Sequence, residues 1–259
     1  MRLRALAATL SLAAALGFGG CGNDENPVDT GAQPGKVVLE TQHSVDGAAL
    51  VLHDVRYENA AGQMYGVDKL IYFLSDIVLH RADGVLFGLD AAWYNDVEDP
   101  ATLELTLDDV PAGDYTAISF TWGLDAEKNV PGALPDNPQN NNMFWPAALG
   151  GGYHYSKCEG FYVNSQGAQA GYATHTGRVR RDIDTEDHHH FFTVSLPISM
   201  QIDGDTWTLP IVMDLNQWYE QPNVYDFPEV PMIMNDLDRQ RTLMENGASV
   251  FSAGAISSR

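Results

Sequence analysis

Short segments of alternating apolar and polar residues, separated by glycine-containing turns, constrain the fold of this chain more than any other feature. An alternation with a period of two places the apolar side chains on one face of a β-strand. The pairs Asp46-Gly47 and Asp83-Gly84 each follow such a segment and are typical of tight turns between strands. Regularly spaced strands of this kind predict an all-β fold, an antiparallel β-sandwich with long loops and little helix.

Longer segments predict how the strands connect. The segments "GKVVLETQHSV" and "AALVLHDVRYEN" predict a hairpin around Asp46-Gly47. The region 190–215 predicts another hairpin around Asp203–Asp205. The region 103–125 predicts two strands joined by a turn at Pro111–Asp114. One segment, "VPMIMNDLDRQRTLMENG", favours a helix that ends at Gly247.

The first 20 residues have the pattern of a secretory signal peptide. Arg2 and Arg4 precede an apolar run that is too short to span a bilayer and ends in Gly-Gly-Cys. Gly20-Cys21 is similar to a lipobox, so we expect Cys21 to be lipidated and the protein to be an exported lipoprotein, periplasmic or anchored to the outer membrane. A cleaved signal with an incidental cysteine is the alternative. Residues 21–35 are polar and rich in Gly and Pro, which predicts a flexible tether before one domain at 36–259.

The net charge and the cysteine content indicate which partners and which covalent links to expect. The formal net charge of −21 repels nucleic acid and attracts cations, so we expect no nucleic-acid partner. If Cys21 carries lipid, Cys158 has no partner for a disulfide, and its apolar surroundings favour a small buried side chain. A reactive thiol or a metal ligand is the alternative for Cys158.

The chain contains none of the short motifs that mark common enzyme classes. No H-E-x-x-H, G-x-S-x-G, C-x-x-C or phosphate-binding loop occurs, and we therefore expect no catalytic activity. The triplet His188-His189-His190 follows a charged stretch; two of its rings share one face in a strand and would bind a metal weakly, but an exposed polar loop end is the favoured interpretation.

One loop carries large apolar side chains that a solvated loop would not display. The stretch "NNNMFWPAALGGGYHY", residues 140–155, contains Met143, Phe144 and Trp145 between asparagines and three glycines. We expect these side chains to plug the open end of the sandwich, to form one wall of a metal pocket, or to do both.

An ordered set of motifs resembles the MbnP family of exported bacterial copper-binding proteins, which is related to MopE and CorA. The motifs, in chain order, are "ETQHSVDGAAL", "YENAAGQMYGVDKLIYFLSDIVL", "LTLDDVPAGDYTAISFTWGLD", "NMFWPAALGGGYHYSKCEG", "YATHTG" and "NGASVFSAGAI". The resemblance implies a β-sandwich outside the cytoplasm. It also implies copper bound by histidines near a tryptophan, and a MauG-like dihaem peroxidase partner that oxidises that tryptophan to kynurenine.

The family pattern transfers to individual residues of this chain. The resemblance implies His43 and His175 as the copper ligands and places Trp145 in the loop where family members show W-x-W. This chain has Trp145-Pro146-Ala147 there, so the second tryptophan is missing. Trp145 is the candidate for modification if the first tryptophan is the modified one, and no kynurenine forms at this position if it is the second. Met143, a soft thioether, and His154 are further candidates beside the copper.

These observations predict a lipid-anchored, non-enzymatic β-sandwich that binds copper outside the cytoplasm. Two alternatives to this prediction stay open. One is an interaction or structural lipoprotein whose copper site has decayed. The other is an extracellular hydrolase with a metal cofactor.

Overall fold

The computed structural model describes residues 31–258, in which two β-sheets pack face to face. The predicted signal peptide, Cys21 and most of the predicted tether lie outside these residues. The strands are Gly35–Val45 (β1), Ala48–Ala49 (β2), Tyr57–Glu58 (β3), Met64–Arg81 (β4), Leu86–Asp96 (β5), Glu104–Val110 (β6), Gly113–Trp122 (β7), His154–Val163 (β8), Gln169–Ala173 (β9), Thr176–Gly177 (β10), Phe192–Ile202 (β11), Thr206–Asp214 (β12), Phe251–Ala253 (β13) and Ser257–Ser258 (β14).

The two sheets differ in size. The smaller has the order β13-β12-β1-β2, with β6 also paired to β1 and β14 to β12. The larger has the order β10-β8-β4-β7-β11, with β3 and β5 also paired to β4 and β9 to β8. This arrangement confirms the predicted all-β sandwich. Most pairs are antiparallel, but β1 and β12 are parallel along Lys36↔Thr206 to Ser44↔Asp214.

The predicted hairpin around Asp203–Asp205 is wrong. Strand β11 pairs with β7 in the larger sheet, whereas β12 pairs with β1 in the smaller one. The turn at 111–112 likewise carries the chain from β6 to β7 in the other sheet. A tight-turn sequence specifies that the chain reverses, but it does not specify whether the two strands pair or face each other across the core.

The predicted hairpin around Asp46-Gly47 is correct at its turn and wrong in its length. Only Ala48–Ala49 pairs with the end of β1, at Ser44↔Ala49 and Val45↔Ala48. The chain then leaves the sheet until the two-residue strand β3. Asp46 has a φ of +51° and Gly47 a φ of +78°, the left-handed conformations that such a turn requires.

Strand β4 is the central strand of the larger sheet and separates two apolar cores. Tyr72 and Leu74 face the main core between the sheets, whereas Ile71 and Phe73 face outward, as the period of two requires. The outward side chains join a second cluster made of Ile71, Phe73, Leu124, Met143, Tyr153 and Tyr155. The long loop between β7 and β8 is therefore packed over the outer face of the larger sheet.

Helices are few and short in the part of the chain that is described: Pro138–Asn142 (α1), Gln217–Glu220 (α2) and Leu237–Asn246 (α3). Helix α3 confirms the predicted helix and its end at Gly247, and the Asp236 carboxylate caps its start by accepting a hydrogen bond from the Arg239 N–H. Within residues 31–258, no helix has both the length and the apolar character needed to cross a membrane.

Candidate metal site

Strand pairing brings two histidines together at one end of the larger sheet. His154 is the first residue of β8, and His175 lies between β9 and β10. The register Gly177↔His154 places the two chain segments side by side. The ring centroids of His154 and His175 are 5.1 Å apart, with the planes inclined by 83°.

Hydrogen bonds fix which nitrogen of each ring carries a proton. His154 Nδ1 lies 3.1 Å from the Met143 carbonyl oxygen, and His175 Nε2 lies 2.9 Å from Glu159 Oε1. Because a carbonyl and a carboxylate accept only, both of these nitrogens donate. The lone pairs are therefore on His154 Nε2 and His175 Nδ1, and both atoms are buried and make no hydrogen bond.

The electrostatics of this pair keep His154 neutral. Burial, followed by the neighbouring His175, lowers the pKa of His154 to about 3. The hydrogen bond from His175 lowers the pKa of Glu159 to about 2, against the opposing effect of its partial burial. Lys69 Nζ lies 3.3 Å from the other carboxylate oxygen, Oε2. At neutral pH the site thus holds a free imidazole lone pair on His154 Nε2 and an ionised carboxylate behind His175.

Trp145 is buried against this pair. Its ring centroid is 4.7 Å from that of His154, edge to face at 76°. Its indole N–H donates to the Leu149 carbonyl oxygen at 3.2 Å. The ring also lies against Gly177, where a Cβ atom would come within 2.7 Å of Trp145 Cε3, so only glycine fits there.

The other two apolar residues of the loop point elsewhere. The Met143 side chain is buried in the second apolar cluster, and its carbonyl oxygen accepts both the backbone N–H and the ring N–H of His154. Phe144 is 53% exposed and packs against Tyr153, with the ring centroids 5.6 Å apart and the planes tilted by 37°. Of the three, Met143 contributes its backbone to the site and Trp145 its ring, while Phe144 faces solvent.

His43, the other histidine that the family resemblance implied as a ligand, has different neighbours. It lies on β1 in the smaller sheet, and its Nε2 is 2.9 Å from the Tyr72 hydroxyl. Burial lowers the pKa of His43 to about 4. Among the ring contacts of residues 31–258, His175 meets His154 and His43 meets Tyr72. The structure therefore brings together His154, His175 and Trp145, and gives His43 a hydroxyl partner.

The histidine triplet is not a uniform exposed loop end. His190 is buried and donates from Nδ1 to the Gly177 carbonyl oxygen at 2.9 Å. His189 Nδ1 lies 3.4 Å from the Tyr155 hydroxyl, and His188 Nε2 lies 3.6 Å from Asp184. Within residues 31–258, no group of three or more His, Cys, Asp or Glu side chains is arranged to hold a metal.

Sequence reasoning missed Glu159, and the signal that would have found it is the turn at 164–168. Asn164 Oδ1 accepts from the Gln166 and Ala168 N–H groups and closes a hairpin between β8 and β9. From the pair Val163↔Gln169 beside this turn, the register of the hairpin leads to Glu159↔Ala173. Glu159 therefore lies beside the segment that carries His175, close to His154.

Cys158 is buried and free, and its Sγ lies 3.7 Å from the Tyr219 hydroxyl.

Comparisons with known proteins agree with this fold. A sequence profile of the MbnP family matches residues 34–235. The solved structure of MbnP from Methylosinus trichosporium matches with a TM-score of 0.54 over 85% of this chain and 98% of that chain, at 15% sequence identity. That identity is low enough that the structural likeness shows the shared fold alone, and no curated protein matches the sequence. Because the family profile covers most of the chain, the protein belongs to the MbnP family.

Proposed function

We propose that this protein is an exported copper-binding protein whose ion is held between His154 Nε2 and His175 Nδ1. The observation that carries the proposal is the pair of buried imidazole lone pairs that make no hydrogen bond. A buried polar atom without a partner is costly, typically about 1 to 3 kcal/mol, and two such atoms on adjacent rings are expected to share a cation.

The donors around the pair fit copper. Neutral imidazole nitrogen is a good ligand for both Cu(I) and Cu(II). Metal-binding histidines commonly donate their other N–H to a carboxylate or a backbone carbonyl, which fixes the tautomer and the ring orientation. Glu159 and the Met143 carbonyl oxygen occupy those positions here. A single proton shared between the two lone pairs is the competing explanation, and it predicts no affinity for copper.

We place the site of oxidation at Trp145. Its indole edge lies against His154, so a change in the ring would be felt directly by one ligand. The second tryptophan of the family pattern is Ala147 here, which leaves Trp145 as the candidate for conversion to kynurenine by a MauG-like dihaem partner. The protein itself supplies the binding site and needs no catalytic group of its own.

The proposed location rests on the N-terminal residues. Arg2, Arg4 and the apolar run that follows support export, and Cys21 supports a lipid anchor on the periplasmic or outer-membrane side. An anchored, acidic copper protein would hold the ion outside the cytoplasm, where it is available for uptake, storage or delivery.

Copper titration of protein purified from its own host tests the binding site. His154→Ala and His175→Ala are each expected to weaken binding by more than about 100-fold, because loss of a ligand exceeds the 10- to 100-fold effect of losing a residue that orients one. His190→Ala is the matched control, since His190 is also buried and bonded to a carbonyl oxygen but has no contact with the pair's free nitrogens. Equal binding by all three variants would reject the site.

Mass spectrometry of the same material tests the modification. Kynurenine at Trp145 would appear as the loss of one carbon with the net gain of one oxygen in the peptide that contains residue 145. If Trp145 is unmodified and copper does not bind, the alternative of an interaction lipoprotein with a decayed copper site is favoured instead.

A further inference from the structure

A short segment closes over Trp145, the tryptophan that packs against His154. Residues 146–152, named here the cover, accept hydrogen bonds from both N–H groups of Trp145. The Gly152 carbonyl accepts the backbone N–H at 2.9 Å and the Leu149 carbonyl accepts the indole N–H at 3.2 Å. Trp145 is only 3% exposed. Since its ring packs against that of His154, a path from solvent to the pair through Trp145 would require the cover to move.

The glycine run at the end of the cover is costly to order. Gly150, Gly151 and Gly152 all have positive φ values, +105°, +66° and +91°. Three consecutive glycines lose more conformational entropy on ordering than other residues, so a side-chain contact from outside the segment adds to the backbone hydrogen bonds that keep it closed. A Cβ at residue 152 would lie 2.4 Å from Asn129 Oδ1, which shows how closely the segment is seated.

Arg178 supplies that contact. Its Nη2 donates to the Gly150 carbonyl oxygen and, at 3.3 Å, to that of Gly151. Its Nη1 lies 3.1 Å from Asp187 Oδ2, and the Arg178 side chain is 11% exposed. A guanidinium presents several donors in one rigid plane, so a single side chain bridges two cover carbonyls and a carboxylate.

We propose that Arg178 is a positioning residue that holds the cover closed and thereby sets the rate at which a metal ion reaches His154 and His175. The part of this inference that concerns metal entry rests on the proposed function. The hold of Arg178 on the cover stands independently of it. Asp187 neutralises the buried guanidinium and keeps it directed at the glycine carbonyls.

Arg180 provides a matched control within the same cluster. Its Nη1 lies 3.3 Å from the other oxygen of Asp187, but its side chain is 52% exposed. Arg180 reaches the cover only through its backbone N–H, which donates to the Leu149 carbonyl oxygen at 2.9 Å. Arg180→Ala therefore removes an arginine from Asp187 and leaves every hydrogen bond of the cover in place.

Hydrogen exchange of the metal-free mature protein tests the hold directly. Exchange of the Trp145 indole N–H, followed by NMR and assigned with Trp145→Phe, is expected to accelerate about tenfold or more in Arg178→Ala, because hydrogen bonds to a charged group are lost. In Arg180→Ala the exchange rate of the indole N–H is expected to stay within roughly twofold of that in the wild-type protein. Millimolar methylguanidinium should restore slow exchange in Arg178→Ala. Unchanged indole exchange in Arg178→Ala would overturn the inference.

Stopped-flow mixing with copper alone, followed by tryptophan fluorescence, tests metal entry. The Arg178→Ala variant should bind copper about tenfold faster and also release it faster. Its equilibrium affinity for copper should therefore change much less than its association and dissociation rates. If indole exchange accelerates in Arg178→Ala but the wild-type protein binds no copper, the proposed function fails and the role of Arg178 at the cover remains. If copper binds through the pair and both rates are unchanged in Arg178→Ala, the entry role is rejected.

A folding defect would not leave the inference undecided. Should Arg178→Ala lose the native circular dichroism spectrum, Arg178→Lys and Asp187→Asn replace it, since both keep a buried polar side chain in place. The lysine ammonium is a point charge that reaches one carbonyl oxygen, whereas the arginine guanidinium donates to two. Faster indole exchange is therefore expected in Arg178→Lys. Unchanged exchange in both replacements would reject the proposal.

Discussion

His43 is partly buried and His154 is buried in the same sandwich, and the two differ in what meets the ring nitrogens. Burial lowers the pKa of both, to about 4 for His43 and about 3 for His154. His43 Nε2 has the Tyr72 hydroxyl as a partner, whereas His154 Nε2 has none, and the His154 ring lies 5.1 Å from a second imidazole. Burial and a lowered pKa therefore do not distinguish a structural histidine from a candidate ligand, but a buried lone pair without a partner does.

The largest expected effect concerns the pH dependence of folding at His43. Its folded pKa of about 4 lies below the ordinary value of 6.5, so between these pH values the unfolded chain binds a proton that the folded chain does not. Stability is therefore full above about pH 6.5 and falls as the pH drops toward 4, by about 3 kcal/mol from His43.

Urea denaturation of the metal-free protein at pH 7 and pH 4.5 measures this effect. His43→Gln keeps a side chain able to bond Tyr72 and removes the titration, so the variant should lose markedly less stability on acidification. His154 contributes in the same direction in both proteins, so the difference between them isolates His43. Identical pH dependence in the two proteins would show that His43 is not held neutral by burial.

The next effect is expected at Glu159, which orients His175. Glu159→Gln should weaken copper binding by about 10- to 100-fold, equivalent to about 1.4 to 2.7 kcal/mol, because the amide no longer provides a charged acceptor for His175 Nε2. Lys69→Met is the control. It removes the cation 3.3 Å from Glu159 Oε2 but leaves the hydrogen bond to His175 in place. A larger loss from Lys69→Met than from Glu159→Gln would contradict this assignment.

A third prediction concerns the packing of Trp145 beside the pair. Gly177→Ala would place a Cβ 2.7 Å from Trp145 Cε3, and the indole would have to shift. We expect a loss of about 1 to 2 kcal/mol in the free energy of unfolding, within the range for overpacking a core. Gly171→Ala on β9 is the matched control, because the nearest atom to its Cβ would be 3.9 Å away. Thermal unfolding of both variants measures the difference, and equal melting temperatures would place Trp145 away from Gly177.

The sequence predicted the sandwich because alternation and turn residues are local signals. Strand β4 ends just before the predicted turn at Asp83-Gly84, and helix α3 ends at the predicted stop, Gly247. The pairing of β1 with β12 was not predictable, since it joins residues about 170 positions apart through contacts that no local pattern encodes. For the same reason His175 and His154 could each be named as candidates from their motifs, while the contact between their rings could not be foreseen.

The smallest expected effect tests whether His43 belongs to the metal site after all. Tyr72 is buried, stacks on Trp122 at a centroid distance of 4.9 Å, and bonds His43 through its hydroxyl. Tyr72→Phe keeps the ring and removes that bond, so His43 Nε2 loses its hydrogen-bond partner, as His154 Nε2 lacks one. We expect unfolding to become easier by about 1 kcal/mol, since one buried hydrogen bond is lost.

Copper affinity in Tyr72→Phe should stay within roughly twofold, because His43 is not one of the proposed ligands and a single imidazole without a second donor is a poor site. Denaturation and copper titration of the same sample measure both quantities. A tenfold or larger change in copper affinity would mean that His43 and Tyr72 act on the ion, as the family resemblance implied for His43. In that case His43 would belong to the same metal site as His154 and His175. The hydrogen bond to Tyr72 would then show only that the His43 nitrogen has a partner in the metal-free protein, and not that His43 is structural.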